Sequence, residues 1–179
     1  RSKLILQSPE SFKDQYDVTV HTETKATAID REARTVTAFH QPSATEVTYK
    51  YDELILAQGG KPIIPPLPGA DRPHVFSLWT LSDMDSIDSY VKDWAPKTAV
   101  VIGGGFIGLE MVEALRKRGL EVQVVERMPY VMPTHSPEIA GFIQYELESH
   151  GVGVRTSTAV TSITKNEVLL DDGSAIRAD

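Results

Sequence analysis

The chain contains no cysteine. That removes disulfides, zinc–thiolate centres and thiol catalysis from its 179 residues. No apolar run approaches the ~20 residues that a bilayer-spanning helix needs, and no signal-peptide pattern is visible. Basic residues are the minority, 18 against 25 acidic ones, for a formal net charge of −7. They form no stripe, which argues against nucleic acid as a partner. The cluster Arg116-Lys117-Arg118 reads as the solvated end of a helix, where cations suit the dipole. His21, His40, His74, His135 and His150 show no ligand spacing and no adjoining carboxylate cluster, so no metal site is expected. What remains, at 41% hydrophobic residues, is a globular chain long enough for one large or two small domains. The expected compartment is the cytoplasm.

Against these absences stands Val100-Val101-Ile102-Gly103-Gly104-Gly105-Phe106-Ile107-Gly108-Leu109-Glu110. It reads as a buried strand, a glycine turn and a helix start. Gly103, Gly105 and Gly108 hold the three positions of the dinucleotide fingerprint: a tight turn, backbone approach to a pyrophosphate, and close packing of helix on strand. The helix N-terminus offers N–H groups and a positive dipole end to phosphates. Upstream lies the β-branched run 98–102, of the kind buried on both faces of a parallel sheet. Downstream, 106–118 carries Ile107, Met111, Ala114 and Leu115 at helical spacing, with Gly119 as the stop. A second strand, 121–126, places Glu126 at its carboxyl end, where an acid holds the adenine ribose of NAD and repels the extra phosphate of NADP. Arg127 next door is either a clamp for that 2′-phosphate or a solvated cation. NADH is favoured over NADPH.

The chain also repeats itself. Val18-Thr19-Val20-His21-Thr22-Glu23-Thr24 matches Val152-Gly153-Val154-Arg155-Thr156-Ser157-Thr158 at alternate positions, and Thr27 and Ile29 then match Thr161 and Ile163. Each copy runs on into short strands with turns at 30–34, at 165–166 and at 171–173. The first meander ends in Tyr51-Asp52-Glu53-Leu54-Ile55-Leu56-Ala57-Gln58-Gly59, an apolar strand entering a glycine turn. The second has no counterpart to it, and the first copy has no fingerprint before it. Two related nucleotide-binding domains, truncated at both ends, are therefore expected. A proline-rich crossing at 61–69 separates them, and Ser82 is expected to cap a helix through Trp94. Ser136-Pro137-Glu138 reads as another helix start.

The stretches 18–29, 51–69 and 100–126, with Leu81-Ser82-Asp83, resemble the flavin- and pyridine-nucleotide-dependent disulfide oxidoreductases. Within them they are similar to the branch of coenzyme A disulfide reductases, NADH oxidases and NADH peroxidases. The resemblance implies an α/β fold of Rossmann-like FAD/NAD(P)-binding domains, each with a three-stranded β-meander. Residues 1–70 would be the C-terminal part of the FAD domain, and 71–179 the NAD(P) domain without its last strand. For FAD it implies contacts at Ala26 and at Ala57, Gln58 and Gly59, where Gln58 replaces the family's Thr. For NAD it implies Gly103, Gly104, Gly105, Phe106, Ile107, Gly108, Glu126 and Arg127. Phe106 matches an aromatic residue, usually Tyr, that covers the flavin until nicotinamide arrives; the plain alternative is a core aromatic. Glu110 matches a glutamate near nicotinamide and flavin; the plain alternative is a carboxylate in the first helical turn that suits the dipole.

The implied reaction passes hydride from NADH to FAD and on to a disulfide, persulfide, peroxide or oxygen acceptor. The redox cysteine would lie upstream, leaving Phe106 and Glu110 as supporting residues in a segment inactive alone. The intact protein would be a homodimer acting on a small-molecule acceptor. Two other readings remain open: a cysteine-independent ferredoxin or rubredoxin reductase, and a non-catalytic nucleotide-binding module.

Overall fold

Runs of β-branched residues closed by short polar turns build three small sheets, and helices cover one of them. The computed structural model describes residues 6–179. By its contacts the chain divides into two units, Arg1–Gly59 and Gly60–Asp179.

In the first unit, the Ser8 hydroxyl accepts from Ser11 N (3.2 Å) and Pro9 takes the first helical position, so α1 spans Pro9–Tyr16. Three strands follow, β1 (Thr24–Asp30), β2 (Thr35–His40) and β3 (Thr45–Lys50), paired antiparallel in that order. The Asp30 carboxylate accepts from Glu32 N (2.9 Å) and Ala33 N (2.8 Å), which fixes the β1–β2 turn. The strands expected at the start of the first repeat and over 51–59 do not form. A strand needs a ladder partner, and among the described residues β1, β2 and β3 pair only with one another. Ile55 is accordingly 89% exposed.

In the second unit, the crossing 61–66 has no regular structure, as its prolines require. It is tied down where it ends: Ile163 N donates to Pro68 O (2.8 Å) and Arg72 Nε to Ile163 O (3.0 Å). Helix α2 is Leu81–Trp94, and its N-cap is Thr80 rather than Ser82. Thr80 and Asp83 close a reciprocal capping box, and only the residue three positions before Asp83 can do so. Then come β4 (Thr98–Ile102), α3 (Phe106–Lys117), β5 (Glu121–Val125), α4 (Pro137–Ser149) and β6 (Gly153–Arg155). Strands β4, β5 and β6 pair parallel in that order. A meander closes the unit: β7 (Val160–Ile163), β8 (Glu167–Leu170) and β9 (Ala175–Arg177).

The central strand of the parallel sheet, β5, is buried on both faces. Val122 and Val124 pack with Val112 of α3, joined by Val91 of α2 and Leu147 of α4. Val125 packs the other way, against Val168, Leu170 and Ile176 of the meander. This two-sided burial suits the β-branched, apolar residues of β4 and Val122, Val124 and Val125 of β5. On α3 the fully buried residue is Val112, while Ile107 is 52% exposed, so the stripe read from the sequence is rotated by one position.

The repeat is visible atom by atom. Glu23 and Ser157 both have φ of 50°. Thr24 Oγ1 donates to Thr22 O and Thr158 Oγ1 to Thr156 O, each at 2.8 Å. Both meanders carry a bulge in the first strand, around Thr27 and Thr161. Each bulged threonine donates its hydroxyl to the facing strand, to Thr37 O and Leu169 O, both at 3.2 Å.

Candidate functional site

The site is assembled where β4 and β5 end side by side. Gly103 N donates to Val125 O (2.9 Å), so the glycine turn begins under constraint from β5. Gly103 has φ of 104°, a conformation that only glycine adopts without strain. At Gly104 a Cβ would lie 2.9 Å from Val131 Cγ1, so the fingerprint's nominally free position is also restricted to glycine here. At Gly108 a Cβ would stand 2.1 Å from Gly103 O, which is the close helix–strand packing the third glycine permits. Gly105 differs from all of these. It is the N-cap of α3 with φ of −83°, and nothing lies within 4 Å of where its Cβ would be. That open space in front of a helix start is what a pyrophosphate requires.

Helix α3 leaves its N-terminus uncompensated. Its N-cap has no side chain to accept a bond, and its first turn holds no acid. Glu110 falls in the second turn, so it does not serve the dipole as the plain alternative would have it. Its carboxylate is exposed. Phe106 is 63% exposed, which removes the core-aromatic alternative. Its ring meets His135 edge-to-face, with centroids 5.6 Å apart and planes at 63°.

Glu126 is the one buried charged residue among the described residues, at 8% exposure. Its Oε2 accepts from Gly104 N (2.7 Å) and its Oε1 from Met128 N (2.7 Å). These two bonds to backbone lock the end of β5 to the glycine turn. Each oxygen keeps a second lone pair for a further donor. Arg127 is exposed and has no hydrogen-bond or ion-pair partner among the described residues. Residues 126–136 wrap the turn: Met132 N donates to Gly104 O (2.8 Å), and Val131 is fully buried against Gly104. Val131, Met132 and His135 carry no sequence signal that would have marked them; the wrapping is a tertiary contact.

Ala26 sits at the β1 bulge, and Ala57, Gln58 and Gly59 lie in irregular backbone. All four are exposed, and among the described residues no hydrogen bond or ring contact joins them into one site.

Strand, glycine turn, helix, strand and a terminal acid bound to the turn define a Rossmann-like dinucleotide-binding unit. The comparisons give the family. The model of the pyridine nucleotide-disulphide oxidoreductases matches residues 2–179, and the chain belongs to that family. It is 34% identical to an NADH oxidase from Methanocaldococcus jannaschii, over 98% of this chain and 40% of that protein. It superposes on the reduced Bacillus anthracis protein CoADR-RHD with a TM-score of 0.91, at 34% identity, over 100% of this chain and 33% of that one. A ferredoxin reductase from Rhodopseudomonas palustris gives 0.84 at 31% identity, over 97% and 42%. The chain thus spans about two fifths or less of the proteins it resembles. Family members are FAD- and NAD(P)H-dependent oxidoreductases, and the NADH oxidase and CoADR neighbours support FAD and NADH as cofactors. No helix among the described residues is long and apolar enough to cross a membrane.

Proposed function

We propose that this chain is the nicotinamide-nucleotide-binding portion of a flavin-dependent oxidoreductase, which passes hydride from NADH through FAD to a disulfide, persulfide, peroxide or oxygen acceptor. The observation that carries this is the buried Glu126 carboxylate bonded to Gly104 N beside an uncompensated helix start. The hydride chemistry is the cofactors' own; the protein supplies binding, orientation and exclusion of water.

The residues divide the work by geometry. Gly105 and the first N–H groups of α3 receive the pyrophosphate. The remaining lone pairs of Glu126 accept from the adenine ribose, and its charge opposes a 2′-phosphate. Phe106 offers an apolar face beyond the turn, and Glu110 an exposed carboxylate one helical turn on. Ala26, Ala57, Gln58 and Gly59 are candidates for flavin contact by resemblance. The reading extends to a cytoplasmic homodimer whose domains divide near residue 70.

A titration with NADH and NADPH, followed by nucleotide fluorescence, tests it. Tighter binding of NADH, weakened in Glu126→Ala, is expected. A folded chain that binds neither nucleotide contradicts the assignment. The likeness to a ferredoxin reductase favours a second reading, in which the intact protein delivers electrons to a protein acceptor. Reduction of added one-electron protein acceptors by the intact protein, in preference to thiol substrates, separates the two.

A further inference from the structure

Helix α4 carries two apolar faces where a surface helix carries one. Ala140, Ile143 and Leu147 turn inward: Ala140 is buried, Ile143 is half-buried, and Leu147 packs against the core of the parallel sheet. The opposite side holds Ile139, Phe142 and Tyr145, spaced three apart, which sets them along one stripe about 120° wide. They are 48%, 76% and 71% exposed. Among them stands Gly141, the least favourable residue for a helix interior apart from proline. Its backbone is helical, so no left-handed turn requires glycine, and nothing lies within 4 Å of where its Cβ would be. The chain itself has no use for the missing side chain. What it leaves is a notch, one turn before Tyr145, where a second backbone can approach closely. The rim is acidic. Glu138, Glu146 and Glu148 are exposed, and α4 holds no lysine or arginine. Glu146 lies 3.5 Å from His150 Nδ1, and Glu148 accepts from Gln144 Nε2 (2.8 Å), so neither meets a lysine or arginine among the described residues.

We propose that the outer face of α4 is a docking surface for a basic amphipathic helix of a partner protein. Its apolar residues cover Ile139, Phe142 and Tyr145, and its lysines or arginines meet Glu138, Glu146 and Glu148. The charge of the rim selects this occupant over the others. A second copy would bring three rim carboxylates from each side together, in a chain whose net charge is −7. A bilayer surface calls for lysine and arginine around the apolar stripe, the opposite of this rim. A cationic helix satisfies stripe and rim at once, and the notch at Gly141 admits its ridge of side chains. The surface is separate from the dinucleotide site, and failure of the dinucleotide reading leaves it untouched.

The probe is a fluorescein-labelled peptide of about 14 residues, leucine and lysine at amphipathic helical spacing, followed by anisotropy on this chain. Binding to the wild type is expected. It weakens by about tenfold or more in Phe142→Ser and in the triple variant Glu138→Gln/Glu146→Gln/Glu148→Gln. A peptide with glutamate in place of lysine does not bind. Gly141→Gln separates docking from folding. Glutamine is the better helix former, so the melting temperature rises, while its side chain fills the notch and lowers peptide binding by about tenfold or more. No binding to the wild type, equal binding of the glutamate peptide, or indifference to Phe142→Ser and Gly141→Gln overturns the proposal. Sedimentation that finds the wild type self-associated and Phe142→Ser monomeric makes the occupant a second copy, and overturns it too. So does capture of the chain by phosphatidylcholine vesicles that is lost in Phe142→Ser. If the intact protein fails to bind the peptide that this chain binds, its own remaining domains cover the face, and the proposal fails.

Discussion

The fingerprint gives Gly105 and Gly108 different work, and the structure accordingly assigns them opposite sensitivities to the same added methyl. At Gly108 the Cβ would sit 2.1 Å from Gly103 O, against about 3.4 Å for ordinary contact, and both partners are backbone. Relief requires α3 to move away from β4 by about 1 Å, which disturbs the layer of Val101, Leu109 and Val112. Overpacking of this kind costs about 1–3 kcal/mol, and the better helix propensity of alanine returns up to about 1 kcal/mol. A net loss of about 1–2 kcal/mol lowers the melting temperature by about 4–8 °C in a unit of this size. At Gly105 the methyl would meet nothing within 4 Å, and the backbone is already in a region open to alanine. Its stability cost is the weaker N-cap, about 0.5 kcal/mol. The methyl instead occupies the approach to the helix N-terminus, so NADH binding should fall by about tenfold or more. Differential scanning fluorimetry and a nucleotide titration on Gly105→Ala and Gly108→Ala read both quantities. A Gly108→Ala variant that melts within about 1 °C of wild type, or a Gly105→Ala variant that binds NADH normally, would refute the division of roles.

Glu126→Gln keeps one acceptor oxygen but turns an amide N–H₂ toward a buried backbone N–H. Urea unfolding should show a loss of about 1–3 kcal/mol, and discrimination between NADH and NADPH should fall with it. Asp179 accepts from Lys97 N (2.8 Å) and Thr98 N (3.0 Å), and the Lys97 bond is the leading cause that holds its carboxyl below the ordinary value of 3.8. A carboxyl depressed in the folded state stabilises above its unfolded pKa, and that contribution vanishes as pH falls through the folded one. Asp179→Asn should therefore be less stable than wild type near neutral pH, with the gap closing in acid; a gap independent of pH would contradict the linkage. Thr80→Ala removes the hydroxyl half of the α2 capping box and should cost about 1 kcal/mol, whereas Ser82→Ala should cost little, and thermal melts of the pair decide between them.

What could be read from the sequence was whatever a residue type settles by itself. The strand β4, the glycine turn, the stop at Gly119 and the acid after β5 each follow from local chemistry, and all stand where the spacing puts them. Asp30 and Asp172 mark their turns for the same reason. The α2 start shows the limit: Thr80 and Ser82 are both good caps, and only the reach back from Asp83 separates them. Helix α1 begins at Ser8-Pro9-Glu10, the same tripeptide that marks α4 at residue 136, so one local signal starts both helices. The segment over 51–59 failed for a deeper reason. Its apolar run is strand-like by propensity, but a strand exists only beside another, and no residue within the run encodes its neighbour.

The same argument explains the half of the site that the sequence hid. Gly104 occupies a position where the fingerprint tolerates any residue, so nothing in the motif calls for glycine there. In the fold both of its polar atoms are used, N–H to Glu126 and C=O from Met132, and its missing side chain makes room for Val131. One glycine thus couples the turn, the end of β5 and the segment that carries His135. A perturbation of Glu126 should therefore travel to the Phe106–His135 pair through Gly104, without direct contact between them. Glu126→Gln is accordingly expected to shift the aromatic NMR signals of Phe106 and His135, whereas Arg127→Ala, one residue further on but bonded to nothing described, should leave them in place. Equal shifts in the two variants would show that the pair answers to local charge and not to the Gly104 linkage.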